Sequence, residues 1–183
     1  QKIEDKIPEL PQQKRERFIK QYGLSKYEAD ILTAQKDLAD YFEEVIRFGI
    51  CPKEAANWIL VELLRVLKDS GNEGIPVESL YLADLIKMVE EGKISRSAGK
   101  EVLDELAITD KTPQRIIEEK GLAQISGKSE LEEIVRGVLS KNIDAVEKYR
   151  EGNEKVIAFL MGQVMKESRG KANPNIARDI MEN

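Results

Sequence analysis

What most constrains the fold of this chain is a helical apolar period with no competing signal. Val156, Ile157, Leu160, Met161, Val164 and Met165 recur at three- and four-residue spacing, so one wall of that segment is apolar and needs a packing partner. The same period runs through Ala29, Leu32, Leu38, Tyr41, Phe42, Val45 and Ile46, through Trp58, Ile59, Leu60, Leu63, Leu64 and Leu67, and through Leu131, Ile134, Val135, Val138 and Leu139. No β-hairpin signal and no repeat of fixed period interrupts it. With 34% charged residues and only 5% aromatics, the chain reads as all-α, an antiparallel helical bundle followed by a second small helical domain.

Turn chemistry divides the chain. Pro8 and Pro11 precede a first helix, Tyr22-Gly23-Leu24 ends it, and Ser25 with Glu28 makes a capping box for the next. One continuous helix is expected from Ser25 to about Phe48, and another from Pro52 through Leu67. Asp69–Pro76 reads as a surface loop. Helices follow over Ser79–Glu91 and Ser95–Leu106. Thr112 caps a helix that Pro113 opens, which places a hinge at Thr109 and domains at 1–108 and 109–183. Ser129 with Glu132 offers a capping box for the next helix, with Ser126 a competing start. Ile143–Arg150 is a further short helix, stopped by Gly152. Gln1 opens the chain without a methionine, as a cut inside a longer protein would.

Composition removes several chemistries. The chain has no His and one cysteine, Cys51, so it offers no imidazole-activated nucleophile, no disulfide and no thiolate cluster. No catalytic and no metal-binding residues are assigned. The net charge of -5 argues against a protein that coats nucleic acid, and DNA is not an expected partner. No apolar run approaches the roughly 20 residues that cross a bilayer, and no signal peptide opens the chain, so a cytoplasmic protein without a membrane partner is expected.

Gly127-Lys128-Ser129 looks like the end of a phosphate-binding loop, but that pattern needs a glycine where Leu122 stands, and no strand precedes it. Glu130, Glu132 and Glu133 suit the first turn of a helix for electrostatic reasons alone. Lys14, Arg15, Arg17 and Lys20 read as a solvated face. The better candidates lie near the C-terminal end. Lys166, Arg169 and Lys171 gather around one helix end, where Gly170 can take the left-handed cap and Asn173-Pro174 opens the next helix. With Lys155 and Arg178 they outnumber Glu154, Glu167, Asp179 and Glu182 by only five to four. The residues alone leave RNA contact and ordinary solubilising charge both open.

The run GQVMKESRGKANP, Gly162–Pro174, resembles the end of the GatB subunit of the bacterial glutamyl/aspartyl-tRNA amidotransferase, a tail shared with the YqeY proteins. IPELPQQKRERF, CPKEAANWILVELL, GKISRSAGKEVLDEL and GLAQIS resemble further segments of that family, in the same order. The resemblance implies a helical middle domain and a YqeY-like tail, and a role in selecting tRNA(Gln) or tRNA(Asn). The parent is an ATP-dependent, glutamine-hydrolysing ligase that converts Glu-tRNA(Gln) or Asp-tRNA(Asn) to Gln-tRNA(Gln) or Asn-tRNA(Asn). Its ATP and magnesium site lies in a cradle domain that this chain lacks, so no cofactor is expected here. The amidase subunit and a small stabilising subunit are the implied protein partners, with Lys155, Lys166, Arg169, Lys171, Asn173 and Arg178 as tRNA contacts. A docking scaffold within that complex, or the similar tail of the archaeal GatE protein, are the alternative readings.

Overall fold

The computed structural model describes residues 9–70, 74–125 and 128–182, with the backbone alone at 69, 70 and 128. Ser126 and Gly127, together with residues 71–73 of the expected loop and the stretch up to Pro8, lie outside the described residues. Every element described is a helix: α1 Pro11–Tyr22, α2 Lys26–Leu32, α3 Lys36–Arg47, α4 Pro52–Asn57, α5 Leu64–Ser70, α6 Ser79–Glu90, α7 Arg96–Leu106, α8 Pro113–Lys120, α9 Lys128–Lys141, α10 Ile143–Arg150, α11 Val156–Glu167 and α12 Pro174–Glu182. The protein is all-α. Among the described residues the β content is one isolated bridge, Ile125 to Ala172.

Contacts divide the chain into two compact units, and the division is not a single cut near Thr109. One unit comprises residues 1–87 and 99–116, the other residues 88–98 and 117–183.

In the first unit the expected continuous helix from Ser25 to Phe48 is broken at residues 33–35. The reason is angular. At about 100° per residue, Leu38, Phe42 and Val45 would fall roughly opposite Ala29 on an unbroken helix. All four are buried, which a straight rod in one core does not allow. Thr33 closes α2 by donating its hydroxyl and its amide to the Ala29 carbonyl, and extended Gln35 starts α3. The capping box ahead of α2 forms as its spacing requires: the Glu28 amide donates to Ser25 Oγ at 3.2 Å, and the Ser25 amide donates to Glu28 Oε2 at 2.6 Å. Lys53 also reaches Glu28, at 2.8 Å, and with the Ser25 bonds it holds that carboxyl down to about 2.

Between α4 and α5 the chain widens into a π-helical turn, Trp58–Leu63, so the expected helix from Pro52 is continuous but not uniform, and α5 takes in Asp69 and Ser70 of the expected loop. Trp58, Ile59 and Leu63 are fully buried, as is nearly all of Glu62, which meets Lys100 at 2.7 Å and Arg65 at 3.7 Å. Lys14, Arg15, Arg17 and Lys20 are less free than a solvated face. Lys14 pairs with Asp40 and Glu43, Arg15 with Asp30, Arg17 with Glu9 and Glu43, and Lys20 with Glu16. The pairs to Asp30, Asp40 and Glu43 tie α1 to α2 and α3 beside the packed rings of Phe18, Tyr22 and Phe42.

The second unit is built on α9, which packs against α11 and α12. Leu131, Val135, Val138, Leu160, Val164, Ala172 and Ala177 form its core, with Met161, Met165, Ile176 and Ile180 partly buried around it.

Candidate nucleic-acid interface

α11 ends because its last turn tightens and then reverses. The Ser168 amide donates to Val164, the Arg169 amide to Lys166, and the Gly170 amide to Met165 at 2.7 Å. Two successive residues then take the left-handed conformation, Arg169 at φ 53 and Gly170 at φ 78. For glycine this is unstrained; for arginine it costs about 1–2 kcal/mol, so surrounding bonds must hold it. Buried Ser168 does part of this, donating its hydroxyl to Met165 and accepting from the Ala172 amide at 3.1 Å.

The chain leaves this turn into a junction of three segments far apart in sequence. The Ile125 amide donates to the Lys171 carbonyl at 2.6 Å, the Asn173 amide to the Ile125 carbonyl at 3.1 Å, and the Gln124 amide to the Lys93 carbonyl at 2.7 Å. Next to Lys93, Gly92 sits at φ 69, and a β-carbon there would collide with Asn173 Nδ2. The participation of residues 92–93 had no local signal; only their long-range bonding shows it.

Asn173 caps α12. Its Oδ1 accepts from the Asn175 amide at 3.1 Å and from Ile176 at 3.4 Å, and the residue is 8% exposed. It therefore positions the turn and has little surface left for a ligand, unlike the direct contact expected for it. Lys166, Arg169 and Lys171 are exposed around the turn, and among the described residues none of the three makes an ion pair. The Lys171 ammonium lies near Gly121, 3.9 Å from where a β-carbon would be. Arg178 lies in α12 and pairs loosely with Glu182 at 3.8 Å. Lys155 stands at the opposite end of α11, roughly 16 Å away by helical rise, so it does not join the cluster. The turn can thus offer three solvent-facing cations to an anionic surface, and it contains no nucleophile paired with a base.

Among the described residues the stretch before α9 ends on the isolated bridge residue Ile125 and holds no strand, and Glu130 stands in the first turn of α9; Gly127 lies outside the described residues. Among the described residues no helix is long and apolar enough to cross a membrane.

The family described as the GatB domain matches residues 40–183. The chain is 46% identical to the GatB-type subunit of the aspartyl/glutamyl-tRNA(Asn/Gln) amidotransferase of Thermodesulfovibrio yellowstonii over 183 residues, which is 99% of this chain and 38% of that protein. It is 48% identical to the subunit of the same name from Clostridium beijerinckii over 182 residues, 98% of this chain and 38% of the relative. The Thermotoga maritima protein of that name is 41% identical over 185 residues, again 38% of its length. The chain thus spans well under half of the relatives it matches.

Proposed function

The chain belongs to the GatB domain family, and from that premise we propose that it serves as the tRNA-recognising helical portion of an amidotransferase GatB subunit, acting in the cytoplasm. The parent would amidate Glu-tRNA(Gln) or Asp-tRNA(Asn), with the phosphorylating chemistry, ATP and magnesium in a domain outside this chain. The portion described here would contribute binding and orientation, holding the tRNA body while the charged 3′ end reaches the catalytic parts.

The observation that carries this reading is the turn after α11. Lys166, Arg169 and Lys171 are exposed and free of internal ion pairs among the described residues, while Ser168, Asn173 and Gly92 fix the backbone that displays them. Such a preset group of cations suits phosphates of a folded RNA, which proteins read largely by shape. Arg178 would support it from α12. Replacing Lys166, Arg169 and Lys171 together with alanine is expected to weaken tRNA(Gln) and tRNA(Asn) binding and to lower the salt slope by about 2–3, as loss of three phosphate contacts requires. Filter-binding titrations with an unchanged affinity and slope would remove the assignment.

One observation favours a docking role for the first unit. Leu10, Tyr27, Val61 and Ile108 are 59, 71, 55 and 75% exposed, apolar anchors suited to the amidase and the small stabilising subunit. Capture of the amidase subunit without RNA, lost on Tyr27→Asp with Ile108→Asp, would support this second role.

A further inference from the structure

Where α9 ends, α10 begins and α11 starts, the second unit has a groove of about 740 Å³. Two large apolar side chains line it in the open, Ile143 at 61% and Phe159 at 49% exposure. Lys141, Lys148 and Lys155 surround them, and Asp144 is the one acid in the lining. Lys141 shares its charge with exposed Glu167 at 2.8 Å, whereas Lys148 and Lys155 make no ion pair among the described residues. Lys155, Val156 and Phe159 bring the start of α11 to the groove, and Lys141 reaches from its rim to Glu167 in the last turn of that helix.

Clustered apolar exposure usually marks a contact surface. The chemistry that fits here is a flat apolar face attached to anionic groups. A nucleobase offers a π-face to Phe159, and the phosphates beside it meet the lysines; loop bases of folded RNA are unstacked and available for this. A docked amphipathic helix fits less well, because it needs a row of anchors over two turns and this groove has two large apolar side chains.

Resting on the tRNA reading above, we infer that this groove takes one unpaired loop base of the bound tRNA, stacked on Phe159 beside Ile143, with its flanking phosphates on Lys148 and Lys155. The groove and the cationic turn then make two contacts, one reading an extruded base and one gripping backbone.

The test uses the 183-residue chain and tRNA(Gln) transcripts carrying 2-aminopurine at single loop positions. At one position the wild-type chain should quench the fluorescence as the base stacks. Phe159→Ala should abolish the quench and weaken binding about tenfold with the salt slope unchanged, and Phe159→Trp should restore both. Phe159 is half exposed, so its truncation leaves the core intact, and thermal melts will verify that. Unchanged affinity and quenching in Phe159→Ala overturn the inference. Loss of amidase-subunit capture in that variant with RNA binding intact also overturns it, assigning the groove to protein. If the wild-type chain binds no tRNA, both this inference and the tRNA reading fall; if only the alanine triple substitution of the turn weakens binding, this inference falls alone.

Discussion

Arg169 holds a backbone conformation that glycine would hold without strain, φ 53, immediately before a glycine that shares it. Arg169→Gly should therefore stabilise the protein by about 1 kcal/mol while weakening tRNA binding. Denaturant midpoints and filter binding on the same variant separate the two effects; a variant that is both less stable and unimpaired in binding would contradict this assignment. Gly92 poses the reverse case. Gly92→Ala introduces a β-carbon into Asn173 and places alanine at φ 69, so a loss of at least about 1 kcal/mol is expected, read as a lowered melting temperature. The cations were legible in the sequence because charge near a helix end needs no tertiary information. Asn173 was legible as a residue near a helix start; that it is a buried cap was not, since burial depends on Gly92, about eighty residues upstream.

The capping box of α2 shows how an element depends on pH. Glu28 has a folded value of about 2, depressed mainly by Lys53 and then by the Ser25 hydroxyl and amide. A depressed carboxyl contributes stability that is fully present above its unfolded value of 4.5 and is lost as the pH falls through 2. Acid titration of stability should show this limb, and Glu28→Gln should reduce its slope between pH 4.5 and 2 while lowering stability at neutral pH. Equal slopes in the two proteins would show that Glu28 is not the group responsible. Caps and glycine stops gave helix ends within a residue or two at α6, α7, α8 and α10. The break between α2 and α3 was harder to read: Thr33, Ala34 and Gln35 carry no strong stop signal, and only the opposite placement of Ala29 and Phe42 requires one. The period alone also separates Phe159 from Leu160 by about 100° and from Val164 by about 140°, the one available hint that it faces out.

At the scale of the whole molecule, the second unit is assembled from two stretches of chain. A piece comprising residues 109–183 would lack the Lys93 carbonyl that receives the Gln124 amide and the Gly92 backbone against Asn173. It should melt at a lower temperature and less cooperatively than a piece comprising residues 79–183, as followed by far-ultraviolet circular dichroism. Equal melts would show that residues 88–98 contribute little. Local sequence marks where helices stop, and Thr109–Pro113 does lie between two of them, but which stretches share a core is decided by pairings that no local pattern records. The junction of Lys93, Ile125 and Lys171 also has a temporal side. On the ribosome, the segment after α6 emerges about thirty residues before Gln124, whose amide bonds it, and about eighty before Asn173, whose side chain packs on Gly92. The display of Arg169 and Lys171 must therefore be a late event in synthesis, and a nascent chain stalled before Asn173 would carry the second unit unclosed, prey to proteases and chaperones alike.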